Sequence, residues 1–198
     1  MFELRICSAK GCNDWALHEQ EVCRKHLKDP GYDQEIAVLM SGSDLIADLN
    51  LSSVALENLD LSGKSIQRCI VSNADLRGIN FTDCRIRLVY FDFSALERCI
   101  FRNSKLHNVV FAGSKIRNCD FSVSDIIRCN FCGIRCDETL FNESDLYASR
   151  FISSTLNRVG FKDCNLKQVR FEHAQIVEPD FRYSNTEDAF FQTKAQKL

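Results

Sequence analysis

The sequence predicts an all-β solenoid, a chain wound in square coils of 20 residues and stacked into a rod. Three observations lead there. Phe stands at 81, 91, 101, 111, 121, 131, 141, 151, 161, 171, 181 and 191, so twelve of the fifteen Phe fall on a ten-residue step. Midway between them come Leu76, Ile86, Leu96, Leu106, Ile116, Ile126, Leu146, Leu156, Leu166 and Ile176, with Cys136 and Thr186 as exceptions, which makes the unit five residues. Two places before each such centre, 23 of the 29 sites from 49 to 189 hold Ala, Ser, Thr, Cys or Val. A period of five fits neither a helix nor a strand. It fits a chain that turns a corner every five residues, with one large and one small side chain facing inward on each side. Four sides close a coil, and stacked coils bond backbone to backbone about 4.8 Å apart.

The same frame reaches upstream through Ile46, Leu51, Leu56, Leu61, Ile66 and Val71, giving 30 centres from 46 to 191, of which 28 are Phe, Leu, Ile or Val. With units such as Ala74-Asp75-Leu76, Ser124-Asp125-Ile126 and Ser144-Asp145-Leu146, residues 44–191 resemble the pentapeptide-repeat family. The resemblance implies a right-handed quadrilateral parallel β-helix of about seven coils. Such a rod is on the order of 36 Å long. Phe would occupy two opposite sides and Leu or Ile the other two.

A solenoid leaves an open sheet edge at each end. At the front, residues 31–43 form a linker and capping helix: Tyr32–Met40 carries helical spacing at Ile36, Leu39 and Met40, after Pro30-Gly31 and before Ser41-Gly42. At the back the repeat loosens after Pro179 and Thr186, and the last residues, with 192–198 as a tail, are expected to cap the rod or to meet a second copy of the chain.

The eleven Cys divide into two kinds. Cys69, Cys84, Cys99, Cys119, Cys129 and Cys164 sit at the small inward site, Cys136 replaces a centre and Cys132 points outward. Inside the rod Cys behaves as a small hydrophobe. The other three lie in residues 1–30, where Cys7-x4-Cys12 and Cys23-x2-His26 have the spacing of zinc knuckles. The segment resembles short Cys3His zinc motifs. It is too short to build a core, so metal would supply its folding energy. Four protein ligands leave no open position, so the expected zinc is structural. Trp15, Ala16 and Leu27 are the expected apolar pad beneath it.

Outward positions repeat every 20 residues. Glu57, Arg77, Glu97, Arg117 and Asp137 alternate in sign and are expected to form an ion-pair ladder. The side built on centres 71, 91, 111, 131, 151 and 171 differs. It presents Tyr90, Phe93, Val110 and Ile152, and Asp92 is its one charge before Arg150. Clustered outward apolar residues mark a contact surface, either for a protein partner or for a homodimer.

The remaining function classes narrow quickly. The net charge of −2 argues against a large nucleic-acid surface. No apolar run is long enough to cross a membrane. The opening MFELRICSAKGC lacks the pattern of a secretory signal, so the expected compartment is the cytoplasm. No phosphate loop or nucleophile elbow is present, and the expectation is a protein that is not an enzyme. Among family members, those that protect topoisomerases resemble DNA and occupy the DNA site of gyrase. Mimicry of that kind needs a dominant negative field, whereas residues 44–198 carry 20 basic and 20 acidic side chains. The leading expectation is therefore a protein–protein interaction scaffold, with gyrase binding as the alternative.

Overall fold

The computed structural model describes residues 4–191. The expected 192–198 tail lies outside them. From Ile46 onward the chain is a parallel β-solenoid of about seven coils with strict 20-residue register: Ile46 pairs with Ile66, Leu56 with Leu76, and Leu156 with Ile176. Each coil has four sides. The first (centres 46, 66, 86 and onward) holds a five-stranded parallel sheet and the third (centres 56, 76, 96 and onward) a seven-stranded one. The second and fourth sides, where Phe stands, pair through single bridges such as Tyr90 with Val110 and Asn80 with Ile100.

The corners explain the five-residue period. The second residue after nearly every centre has a positive φ, between 49° and 65° at the non-glycine corners from Asp48 to Tyr183. On the second side a short turn follows the centre: Ser94 N–H returns to Phe91 C=O at 3.3 Å, with Phe93 at φ 57° as its third residue. A positive φ at that place is what a type II turn requires. The sequence shows the corners but not this left-handed backbone, because Arg, Leu, Val and Tyr occupy it as well as Asn and Gly. Asp120 and Asp145 do act as local braces, accepting from the N–H of Ser122 and Tyr147.

Inside, the two Phe columns stack along the rod, with centroids 4.4 Å apart for Phe101–Phe121 and 4.8 Å for Phe111–Phe131. They meet each other edge to face, as for Phe111–Phe121 at 5.7 Å and 90°. Both geometries are favourable for aromatic quadrupoles, and each fully buried ring contributes roughly 1.5–3 kcal/mol.

The small inward residue has a second use beyond fitting the space. Ser124 Oγ donates to Phe101 C=O at 2.8 Å and accepts from Ser104 N–H at 3.0 Å, one coil below. Ser94, Ser104, Ser144 and Ser149 repeat the pattern. Thiols do the same more weakly, as in Cys99 Sγ to Leu76 C=O at 3.5 Å. Every inward Cys is a free thiol.

The front of the rod is closed by two elements. Helix α1 (Tyr32–Gly42) buries Tyr32, Ile36 and Met40 against the first coil, two residues longer than expected. Lys64 Nζ reaches back to the carbonyls of Ser41 and Ser43, both at 2.9 Å. The second side is capped by the N-terminal segment. His18 N–H donates to Asn50 C=O at 2.9 Å, and the Asn50 amide donates to Ala16 C=O at 2.7 Å. Leu17, 3% exposed, joins the buried cluster that also holds Leu51.

The expected outward ladder is largely absent as ion pairs. Arg77 lies 3.6 Å from Glu57, but its closer partner is Asp75 at 2.8 Å. Glu97 pairs with Arg98, and Asp137 accepts from Asn157. For Arg77 and Glu97 the nearer neighbour in the chain competes with the charge a coil away and wins; for Asp137 the partner a coil away is a neutral amide.

Candidate functional site

Two regions carry chemistry: the cysteine cluster of the N-terminal segment and the second side of the rod beneath it.

The cluster is built by a short hairpin. Ile6 and Trp15 form an antiparallel bridge, and Cys7 N–H donates to Asp14 C=O at 2.9 Å, bringing the first two thiols to one end. Gly11, at φ 77°, makes the tight turn that lets Cys12 N–H reach Ala9 C=O. A second turn, with His26 N–H on Cys23 C=O at 3.0 Å, aims the other two groups at the first pair. The ligand atoms of Cys7, Cys12, Cys23 and His26 all lie within 4.8 Å of one another. Sγ of Cys12 and Cys23 are 3.7 Å apart, and His26 Nδ1 is 3.5 Å from Cys7 Sγ and 3.3 Å from Cys23 Sγ. A tetrahedral zinc ion would set these edges at about 3.8 Å for two sulfurs and about 3.6 Å for sulfur and nitrogen. The donor set and its dimensions therefore suit a metal ion. His18, the other histidine of this segment, is turned away to Glu19.

The electrostatics suit a cation too. Burial opposes ionisation of Cys7, but hydrogen bonds from the backbone of Cys23 and Ala9 and from the Cys23 and Cys12 thiols outweigh it, lowering this thiol to about 6. Asp14 stands 3.8 Å from Cys23 Sγ, and Lys25 at 2.8 Å holds its carboxyl below the usual carboxylate range. The expected pad is partly different. Ala16 is buried and Leu27 packs on the core, but Trp15 is 48% exposed and Leu17 takes the buried place.

Trp15 faces a cleft of about 830 Å³ between the cluster and the second side of the rod, lined also by Arg24, Lys25, Ile70, Tyr90 and Asp92. Ile70, Tyr90 and Val110 are stacked on this side by successive bridges. Tyr90 is 44% exposed and Phe93 66%, whereas Val110 and Ile152 are half-buried. Asp92 is engaged by Ser72 at 2.6 Å. The Phe93 ring lies across the next corner, where a Cβ on Gly113 would come within 2.7 Å of it. Tyr90, Phe93 and Val110 thus form one patch, while Ile152 stands two coils below Val110. Leu88, 44% exposed at the neighbouring corner, extends the patch and was concealed in the sequence by its corner position. The cleft was also not legible, because it depends on how residues 4–30 fold back over the rod.

A family model described as pentapeptide repeats matches residues 84–122 in eight copies. No curated protein matches the sequence. Among solved structures, the chain is similar to a trypsin-treated form of QnrB1, a plasmid-mediated fluoroquinolone resistance protein (11% identity, 75% of this chain and 84% of that one, TM-score 0.34). It is also similar to the pentapeptide repeat protein Rfr23 from the cyanobacterium Cyanothece 51142 (10% identity, 80% and 99%, TM-score 0.33). A third is HetL from the cyanobacterium Nostoc sp. strain PCC 7120, a pentapeptide repeat protein involved in heterocyst differentiation regulation (12% identity, 84% and 98%, TM-score 0.29).

Proposed function

We propose that this chain, a pentapeptide-repeat protein, acts without catalysis as a rigid interaction rod whose second side is the contact face for a protein partner. Phe93 carries the reading. It holds a left-handed corner (φ 57°) that disfavours a bulky side chain, yet it exposes 66% of itself to solvent. Neither local backbone preference nor core packing accounts for a Phe there, and strain of this kind collects at functional surfaces. Tyr90 and Leu88 beside it give the patch the aromatic and apolar composition of an interface core.

Cys7, Cys12, Cys23 and His26 would hold zinc with four protein ligands, which makes its role structural. Bound there, zinc would supply the folding energy of the segment that caps the second side and roofs the cleft. The reading as a non-enzyme is supported by the outward carboxylates Asp120 and Asp145, which are engaged on backbone N–H groups two residues on.

The test is a photo-reactive residue placed at Tyr90 or Phe93 and, for comparison, at Ser62 or Asn103 on the fourth side. Protein adducts are expected from the first pair only. Equal yields from both sides, or no adduct from either, would refute the contact face. Light scattering distinguishes a second copy from a foreign partner. For the gyrase alternative, a supercoiling assay is expected to show no inhibition, and clear inhibition at micromolar protein would replace the present reading.

A further inference from the structure

We infer that the middle of the rod is a positively charged belt that receives an acidic segment of the partner protein, one that also carries apolar side chains. This deepens the proposed contact face and rests on it.

Charge along the chain is segregated. Residues 84–118 hold seven Lys or Arg against Asp92 and Glu97 alone, a net of +5, whereas the rest of the chain nets −7. In the rod these 35 residues are the third and fourth coils, and their cations collect on the two sides that flank the apolar patch. On the first side Arg85 stacks directly on Lys105 and Arg87 on His107. On the third side Lys115 stacks on Arg135, one coil further, around a groove of about 330 Å³ that also takes in Arg117 with Glu97 and Asp137 in register on either side of it. Like charges opposed on neighbouring strands are destabilising. Arg68 on Asp48 and Arg158 on Glu138, each 2.6 Å apart, show the matched arrangement nearer the ends. Among the described residues Arg85, Arg87, Lys115, Arg117 and Arg135 have no ion pair, whereas Arg98 pairs with Glu97 at 2.9 Å, Arg102 lies 3.6 Å from Asp120 and Lys105 3.9 Å from Asp125.

A belt of net positive charge around an apolar patch, with Arg85, Arg87, Lys115 and Arg117 free of ion pairs, is complementary to carboxylates interspersed with apolar side chains. Arg forks bind carboxylates bidentately, and Leu88, Tyr90 and Phe93 lie within reach on the same two coils. The belt is only about 10 Å deep along the rod. The coils above and below it are net acidic, with 8 basic and 13 acidic residues in 1–83 and 10 and 12 in 119–198. Those flanks repel an extended phosphate backbone and tolerate a protein segment that crosses the belt.

The experiment is fluorescence anisotropy of the full chain with three labelled probes: a peptide of repeated Glu-Glu-Leu, its Lys-Lys-Leu counterpart and a short DNA duplex. The Glu peptide is expected to bind at low salt and to weaken at least about tenfold by 0.3 M salt. Arg85→Glu with Arg87→Glu should weaken it by about tenfold or more, while Lys167→Glu, outside the belt, should not. Circular dichroism confirms that each variant keeps its coils. No binding of the Glu peptide, equal binding of the Lys peptide, or indifference to the Arg variants overturns the belt. Tighter binding of the duplex makes it a nucleic-acid surface instead. Phe93→Asn separates the two readings: belt variants that lose the peptide while Phe93→Asn keeps it leave the belt standing and remove the apolar patch.

Discussion

Phe93, Val123, Leu88 and Tyr183 all hold left-handed corners with φ between 53° and 65°, where Asn or Gly is at ease. Such backbone costs an L residue roughly 1–2 kcal/mol. Phe93→Asn is therefore expected to raise stability by about 1 kcal/mol while weakening partner capture. A denaturant midpoint that falls would mean that the ring's contact over Gly113 outweighs the strain. The inward serines make the opposite case, in which a small side chain does more than its size suggests. Ser124→Ala removes the partner of the buried Ser104 N–H and is expected to cost about 1–3 kcal/mol in chemical denaturation, more than a methyl-sized change implies. The sequence identifies Ser124 as small and inward. It does not reveal the bond, because Ala, Cys and Val satisfy the same steric rule.

The N-terminal segment and α1 are where local sequence and tertiary structure depend most on each other. Both were legible as elements, the first from ligand spacing and the second from apolar spacing. Their docking was not: Ala16, Leu17 and His18 carry no motif, and only the free edge at Asn50 gives them their place. Removing metal should therefore loosen more than 30 residues' worth of motif. With zinc stripped by a chelator, hydrogen exchange at Leu51 and Ile70 is expected to rise while the amides around Phe121 stay protected. Uniform exchange along the rod would show that the segment does not cap it. A solenoid tolerates such end fraying because each coil contacts only its neighbours.

Along the rod five of the buried thiols act together, while the hydrogen bond with Cys119 lowers Cys99. Burial pushes Cys69, Cys84 and Cys164 up to about 11, and Cys129 and Cys136 up to about 12. In the unfolded chain these groups ionise near about 8.5. Below that pH both states keep their protons. Above it the unfolded state sheds protons that the folded state retains, so stability falls as pH rises toward about 11–12. The urea midpoint is expected to drop between about pH 8 and about pH 10.5, and to drop less when Cys129 and Cys164 are replaced by Ser. A midpoint unchanged by that replacement would show that these thiols do not drive the loss.

By itself the sequence determined the winding of this protein. A frame of 30 centres repeats one five-residue geometry, and a repeated local geometry closes on itself without help from distant parts of the chain. It also picked out Cys7, Cys12, Cys23 and His26, whose ligand atoms the structure brings within 4.8 Å of one another. Only the tertiary structure decided which groups meet across coils. Some ion pairs formed along a side, as for Arg77 with Asp75, and others up the rod, as for Arg68 with Asp48; the N-terminal segment settled over the second side, and Arg85, Arg87, Lys115 and Arg117 came to stand without ion pairs on the sides that flank Tyr90 and Phe93. These are contacts between residues 20 or more apart, set by competition among neighbours in space, and a period in the sequence does not record who wins that competition.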